Sequence, residues 1–234
     1  MPAPPFIAAA AAYGGGSANV SLFVESGTVL QPNRCVLFLA VDEANTGINP
    51  VSAIYGGAPM TAGSVFTAPG GQKYRLFWQL NVATFGTDQG IVTWSGVTSH
   101  PDVYGFSYSD VLAVSGETSA SAVANTAPSW TVPSTPSTST VVSVMARPHV
   151  GGMSSTPAAP AVSRHSLLNA TNWLDNDIWD EPGASSVTIN GTIESNTWFG
   201  VAVSLDGAGG GGGGGVTLAN IERSVGRGSF RGQY

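Results

Sequence analysis

The sequence predicts an all-β fold, a two-sheet antiparallel sandwich of jelly-roll or lectin-like type with extended arms at both termini. Three observations predict it. Between Asn19 and Leu205 the chain is a succession of short runs rich in Val, Ile, Phe, Trp and Thr, punctuated by Gly, Pro, Asn and Ser, the texture of strands joined by turns. No segment in that stretch sustains a helical period. Charged residues make up 9 % of the chain against 42 % apolar, well below the roughly 25 % charged of ordinary soluble domains. The surface is therefore built from Ser, Thr, Asn and Gly, which suits a chain packed against neighbours.

Residues 1–18 combine prolines, a run of alanines and Gly14-Gly-Gly16, and read as an extended N-terminal arm and hinge. The body, 19–206, offers strand candidates at 19–24, 34–41, 51–55, 73–83, 90–95, 103–114, 119–124, 140–147, 161–168, 186–193 and 196–205. Runs such as Val187-Thr-Ile189 alternate, as strands with one wet face do, whereas Val36-Leu-Phe-Leu39 is continuously apolar and suits a central position. So many short strands exceed the seven of an immunoglobulin domain and favour a single larger sandwich. The Pro/Ser/Thr-rich stretch Pro128–Thr140 fits a loop of that sandwich, with a linker between two small domains as the alternative. Residues 207–215 are a glycine tether, since such a run holds no regular element. Residues 216–234 follow as a C-terminal docking arm in which Val216, Leu218 and Ile221 supply apolar anchors and Arg223, Arg227 and Arg231 supply charge beside Phe230 and Tyr234.

A net charge of −6, with the basic residues thinly spread through an acidic body, argues against nucleic acid as the partner of that body. The arginine–glycine tail has two readings, single-stranded nucleic acid or a groove on another protein, and the second fits its apolar anchors better. The one cysteine, Cys35, excludes an intrachain disulfide and lies in an apolar run where a buried thiol is expected. The N-terminus lacks the positive region of a signal peptide and no run approaches a membrane span, so synthesis in the cytoplasm without export and no membrane partner are the expectations.

Candidate chemistry is sparse. His100, His149 and His165 sit in no recognisable catalytic motif, and no nucleophile elbow or phosphate loop occurs. No catalytic residue and no cofactor is expected. The densest acidic group, Asp175, Asp177, Asp180 and Glu181, reads as carboxylates of a solvated loop; calcium is the chemical alternative, and a glycosidase pair a more remote one. Trp173 and Trp179 flank that group and are the candidates for stacking on a carbohydrate, while the other tryptophans fall in strands and suit a core.

Val51-Ser-Ala-Ile-Tyr-Gly-Gly57, the aromatic strand Tyr74-Arg-Leu-Phe-Trp78, Gly90-Ile-Val-Thr-Trp-Ser95 and Asn196-Thr-Trp-Phe-Gly-Val-Ala-Val203 resemble a β-sandwich module recurrent in tailed-phage virion proteins and some bacterial surface proteins. The resemblance covers about residues 19–206 and neither arm. It implies a packing and display unit without catalytic residues. The expected function is thus that of a non-enzymatic virion structural protein, a capsid decoration or cement unit that binds neighbouring capsid subunits, and copies of itself, through its arms. The alternative is a carbohydrate-binding adhesin or tail-tip protein that meets a host surface glycan through Trp173 and Trp179.

Overall fold

The computed structural model describes residues 4–14, 17–25, 33–43, 46–82, 87–133, 135–148, 155–167 and 174–207. All regular structure among them is antiparallel strand. The first half contains β1 (Phe6–Tyr13), β2 (Ser17–Glu25), β3 (Cys35–Asp42), β4 (Pro50–Tyr55), β5 (Ala58–Pro59), β6 (Thr61–Thr67), β7 (Lys73–Gln79), β8 (Thr87–Thr98) and β9 (Pro101–Tyr108). The second contains β10 (Val111–Asn125), β11 (Ser129–Pro133), β12 (Thr140–Pro148), β13 (Ser155–Pro157), β14 (Val162–Leu167), β15 (Leu174–Pro182), β16 (Ser186–Ile193) and β17 (Asn196–Gly207).

The sheet orders reveal a duplication. In the first half one sheet runs β1-β9-β3-β7-β6 and the other β2-β8-β4-β5; in the second they run β10-β17-β12-β15-β14 and β11-β16-β13. β5 and β6 are one strand bent at Met60, pairing first with β4 in one sheet and then with β7 in the other. Counted so, each half is an eight-stranded jelly roll, and the second repeats the first strand for strand. Register confirms it: Gly105 lies opposite Ala10 and Phe38, and Gly200 lies opposite Ala120 and Met145. The single two-sheet sandwich expected for 19–206 is in fact two sandwiches.

The sheets stack in four layers, outer, inner, inner, outer. The five-stranded sheets are inner and face each other across a seam filled by Leu37, Leu39, Tyr104 and Phe106 from the first half and Val142, Val144, Phe199 and Val201 from the second. Their opposite faces close separate cores against the outer sheets, around Phe38, Tyr55, Phe77 and Trp94 in the first half and Trp130, Met145, Trp179 and Trp198 in the second. The position of each strand follows from its sequence pattern. β3, β9 and all but the last residue of β12 are buried throughout because both faces are covered, whereas β8, β11 and β16 alternate because one face is open.

Residues 1–18 depart from the expected arm. Phe6–Tyr13 is an edge strand hydrogen-bonded to β9, and β2 already begins at Ser17. Its alanines pack on both sides, Ala9 and Ala11 towards the seam and Ala10 and Ala12 towards the first outer core, so small side chains let the layers close. Tertiary packing thus overrides the poor strand propensity of alanine. The expected strand 103–114 breaks at Ser109-Asp110, where Asp110 adopts φ 60°. That turn, and not Pro128–Thr140, divides the halves; β11 lies inside the Pro/Ser/Thr-rich stretch. The glycine tether and the arm 216–234, with Val216, Leu218, Ile221, Arg223, Arg227, Phe230, Arg231 and Tyr234, lie outside the described residues.

Gly105 and Gly200 occupy equivalent central positions where the inner sheet meets its outer partner. A Cβ on Gly105 would strike Val24 and Leu22, and one on Gly200 would strike the carbonyl oxygen of Val144 and the ring of Trp130. Backbone cannot yield as a side chain can. Gly200→Ala should therefore lower stability by about 2–3 kcal/mol, whereas Gly96→Ala, whose Cβ would meet Ile48 at 3.5 Å, should change it by less than about 0.5 kcal/mol. Urea titration of the two variants checks the pair.

Candidate functional site: buried acids along the seam

The acidic run singled out in the sequence is not a loop. Asp175, Asp177, Asp180 and Glu181 belong to β15, an inner strand, and the three aspartates are at most 2 % exposed. Alternation sends them to opposite faces. Leu174, Ile178 and Asp180 look into the seam, while Asp175, Asp177 and Trp179 look into the second outer core. Four carboxylates split between two faces cannot converge on one ion, and Glu181 lies four residues, about 13 Å, beyond Asp177. Among the described residues no group of three or more acids, histidines or cysteines is placed to hold a metal. The solvated-loop reading is corrected for the three aspartates, which are enclosed by sheet, while Glu181 near the end of β15 is partly exposed.

Enclosed charge needs compensation. On the outer-core face Asp177 Oδ2 lies 3.3 Å from Nη2 of Arg147, both side chains fully buried. Arg147 is the last buried residue of β12 and lies opposite Asp175. His165 on β14 is close enough for the Asp177 charge to raise its pKa, which burial lowers by more. On the seam face Asp180 Oδ2 accepts from Arg164 Nε at 2.7 Å and from the Tyr108 hydroxyl at 3.1 Å. Burial and the Asp180 charge hold the Tyr108 phenol well above its ordinary range.

Trp179 is 1 % exposed and meets Trp130 edge-on at 6.3 Å, while Trp130 and Trp198 lie 5.1 Å apart. Gly191 leaves room for the Trp179 ring, since a Cβ there would strike it. Trp179 is a core residue, which corrects its reading as a sugar platform. Trp173 and His149 lie outside the described residues.

A second set of acids, which sequence reasoning missed, gathers where β3 ends and β9 and β15 begin. Asp42 is buried and accepts from the Thr98 hydroxyl and, at 2.7 Å, from that of Thr46. Asp102, also buried, accepts from the Tyr104 hydroxyl at 3.2 Å, and the same hydroxyl reaches the carbonyl of Leu174 in the other jelly roll at 3.3 Å. Glu43 continues β3 beside them, its N–H donating to the His100 carbonyl at 3.1 Å. Burial, with the neighbouring Asp42 charge, pushes Glu43 up to about 7; burial, with the Glu43 charge, pushes Asp102 up to about 8 against the lowering effect of the Tyr104 bond. The available signal was an acid directly following or opening an apolar run, Val41-Asp42-Glu43 and Pro101-Asp102-Val103. His100 sits on the β8–β9 turn with Nδ1 3.1 Å from its neighbour Ser99 Oγ and its ring stacked on Tyr13 of β1.

The remaining pole geometry concerns the chain ends. Tyr108, the last residue of β9, lies opposite Phe6, the Ser109 N–H donates to the Pro5 carbonyl at 3.1 Å, and the Thr140 hydroxyl donates to that of Pro4 at 3.2 Å. A Cβ on Gly207 would touch the Pro4 ring at 3.4 Å. Both ends of the body thus emerge together, at the pole opposite Asp42, Glu43 and Asp102. No protein-family model, no curated protein and no solved structure matches the chain.

Removing one member of the Arg147–Asp177 pair strands the other inside the second jelly roll. Arg147→Met should cost about 3–5 kcal/mol of stability, and the double variant Arg147→Met/Asp177→Leu should regain much of that loss. Denaturant unfolding of both variants checks it; equal losses in single and double variants would show that the pair does not act as one.

Proposed function

We propose that this chain is a non-enzymatic structural module of a larger assembly, and, following the resemblance of its strand motifs, a decoration unit of a virion capsid. The observation that carries the reading is the meeting of Pro4 and Gly207 at one pole. A body whose two ends leave together is held from that side and presents the other, the geometry a display unit needs. The surface supports the same reading. Phe23 is 60 % exposed and Val97 66 % exposed on the outer face of the first jelly roll, where Ile91 lies opposite Ile54 and Ser21. Singly scattered apolar residues such as Val97 need no explanation, but Phe23 lies diagonal to Ile91, which faces Ile54, and this small apolar group on one sheet face suits contact with a partner. The jelly roll itself recurs in capsid and lectin domains, an analogy of fold and not of site.

On this reading the residues after Gly207 dock on neighbouring capsid subunits, with Val216, Leu218 and Ile221 as apolar anchors and Arg223, Arg227 and Arg231 as charge-assisted donors. The seven glycines 209–215 span an r.m.s. distance of about 15 Å and keep the arm concentrated near an adjacent subunit. The test is attachment to purified particles. Deleting 208–234 should lower occupancy about 100-fold and leave the melting temperature within about 1 °C, since the strands close at Gly207. Undiminished occupancy by the truncated chain would exclude the docking role, and absence of the intact chain from particles would exclude the virion assignment.

A further inference from the structure

The two ends of the seam are built differently. Towards the pole of the chain ends, the buried acid Asp180 is matched by Arg164 and capped by Tyr108. At the opposite pole Asp102 is fully buried, and its Oδ1 has no hydrogen-bond partner; Oε2 of Glu43 is likewise buried and without one. The contact that ties the jelly rolls together there is the Tyr104 hydroxyl, shared between Asp102 Oδ2 and the Leu174 carbonyl across the seam. We infer that this pole is a proton-operated clasp: while Glu43 and Asp102 retain protons the two jelly rolls stay closed over Tyr104, and when both ionise the seam loosens at that end alone.

The surroundings decide the direction. Asp42 lies beside Glu43 and is already occupied by Thr46 and Thr98. The other jelly roll contributes to the shift of Tyr104 through Asp175, another acid. No base figures among the neighbours that shift Glu43 or Asp102. Lys73 stands opposite Asp42 but bonds the Thr67 hydroxyl through Nζ at 2.7 Å. Arg147 pairs with Asp177 on the other face of its sheet, Glu194 is exposed on the β16–β17 turn, and His100 lies on the β8–β9 turn. A negative charge on Glu43 or Asp102 therefore meets like charge and low dielectric, with no cation among the described residues that shifts either group to offset it.

Both carboxyls titrate higher in the folded chain, at about 7 and about 8, than in the unfolded one. Between the ordinary carboxylate range and those values the folded state holds more protons than the unfolded state. Stability therefore falls as pH rises through that window and levels off above it, opposite to the usual acid denaturation of paired carboxylates.

The experiment uses the full chain at low salt, with melting temperature and deuterium exchange followed from about pH 5 to about pH 9. The melting temperature should fall by on the order of 5–10 °C across that range. Exchange should rise at the starts of β9 and β15 while the end of β9 and the start of β12 stay protected. Asp102→Asn and Glu43→Gln, which cannot ionise, should each flatten the pH dependence; Glu43 lies at the rim, so its amide carries the test even where Asn at position 102 disturbs folding. A slope that persists in Glu43→Gln, or exchange that rises equally at both poles, overturns the clasp. So does calcium chloride restoring the melting temperature at high pH in the native chain but not in Glu43→Gln, which would make the acid pair a cation site.

Discussion

Burial of two sheets on both of their faces is the constraint on which the molecule depends. A central inner strand sends its side chains alternately to the seam and to its own outer sheet, so both sets are predominantly apolar. In β3 the seam receives Cys35, Leu37, Leu39 and Val41, and the outer core receives Val36, Phe38 and Ala40. Sheets pack about 10 Å apart, so four layers leave little tolerance for volume at the points of closest approach. Alanine in β1 and glycine at 105 and 200 answer that constraint, and bulges in β1, β6, β10 and β14 bend the edge strands around it. Cys35, sealed in the seam, has its thiol pushed far above the ordinary range by burial, which makes it an inert packing group.

The duplicated architecture makes the differences between halves informative. At one register the first jelly roll has Ala40 opposite Arg75, and Phe38 opposite Phe77; the second has Arg147 opposite Asp175, and Met145 opposite Asp177. The first half fills this region with an apolar core and turns Arg75 outward, onto the carbonyls of Gly63, Pro50 and Val51. The second half encloses an ion pair in the same place. Replacing such pairs by apolar groups is commonly neutral or stabilising, so packing alone does not account for the charges. The Arg147–Asp177 pair and the uncompensated Glu43–Asp102 pair both lie towards the pole opposite the chain ends.

Edges and outer faces complete the contrast. The outer face of the first jelly roll carries Phe23, Ile54, Ile91 and Val97, whereas that of the second is lined by Thr131 against Thr188 and Ser129 against Asn190, with the two threonine hydroxyls 2.9 Å apart. The two ends of the stack therefore offer different chemistry, although the chain folds the same way twice.

The sequence by itself determined the class of structure. Continuous apolar runs such as Val36–Val41 and Val141–Val144 marked inner strands, alternating runs such as Val187-Thr-Ile189 marked outer ones, and the absence of a helical period excluded helices. Only the tertiary structure decided that there are two jelly rolls, because the halves share register and topology while their side chains differ, as Phe77 against Asp177 shows. It also decided that Phe6–Tyr13 is a strand, since the alanines gain stability only from the layers they close. The acidic run 174–182 reads as a loop until β12 and β14 pair with it and bring Arg147 to Asp177 and Arg164 to Asp180, partners that no local pattern supplies. Glu43 and Asp102 are far apart along the chain and are brought together by the pairing of β3 with β9, a long-range contact that no local pattern encodes.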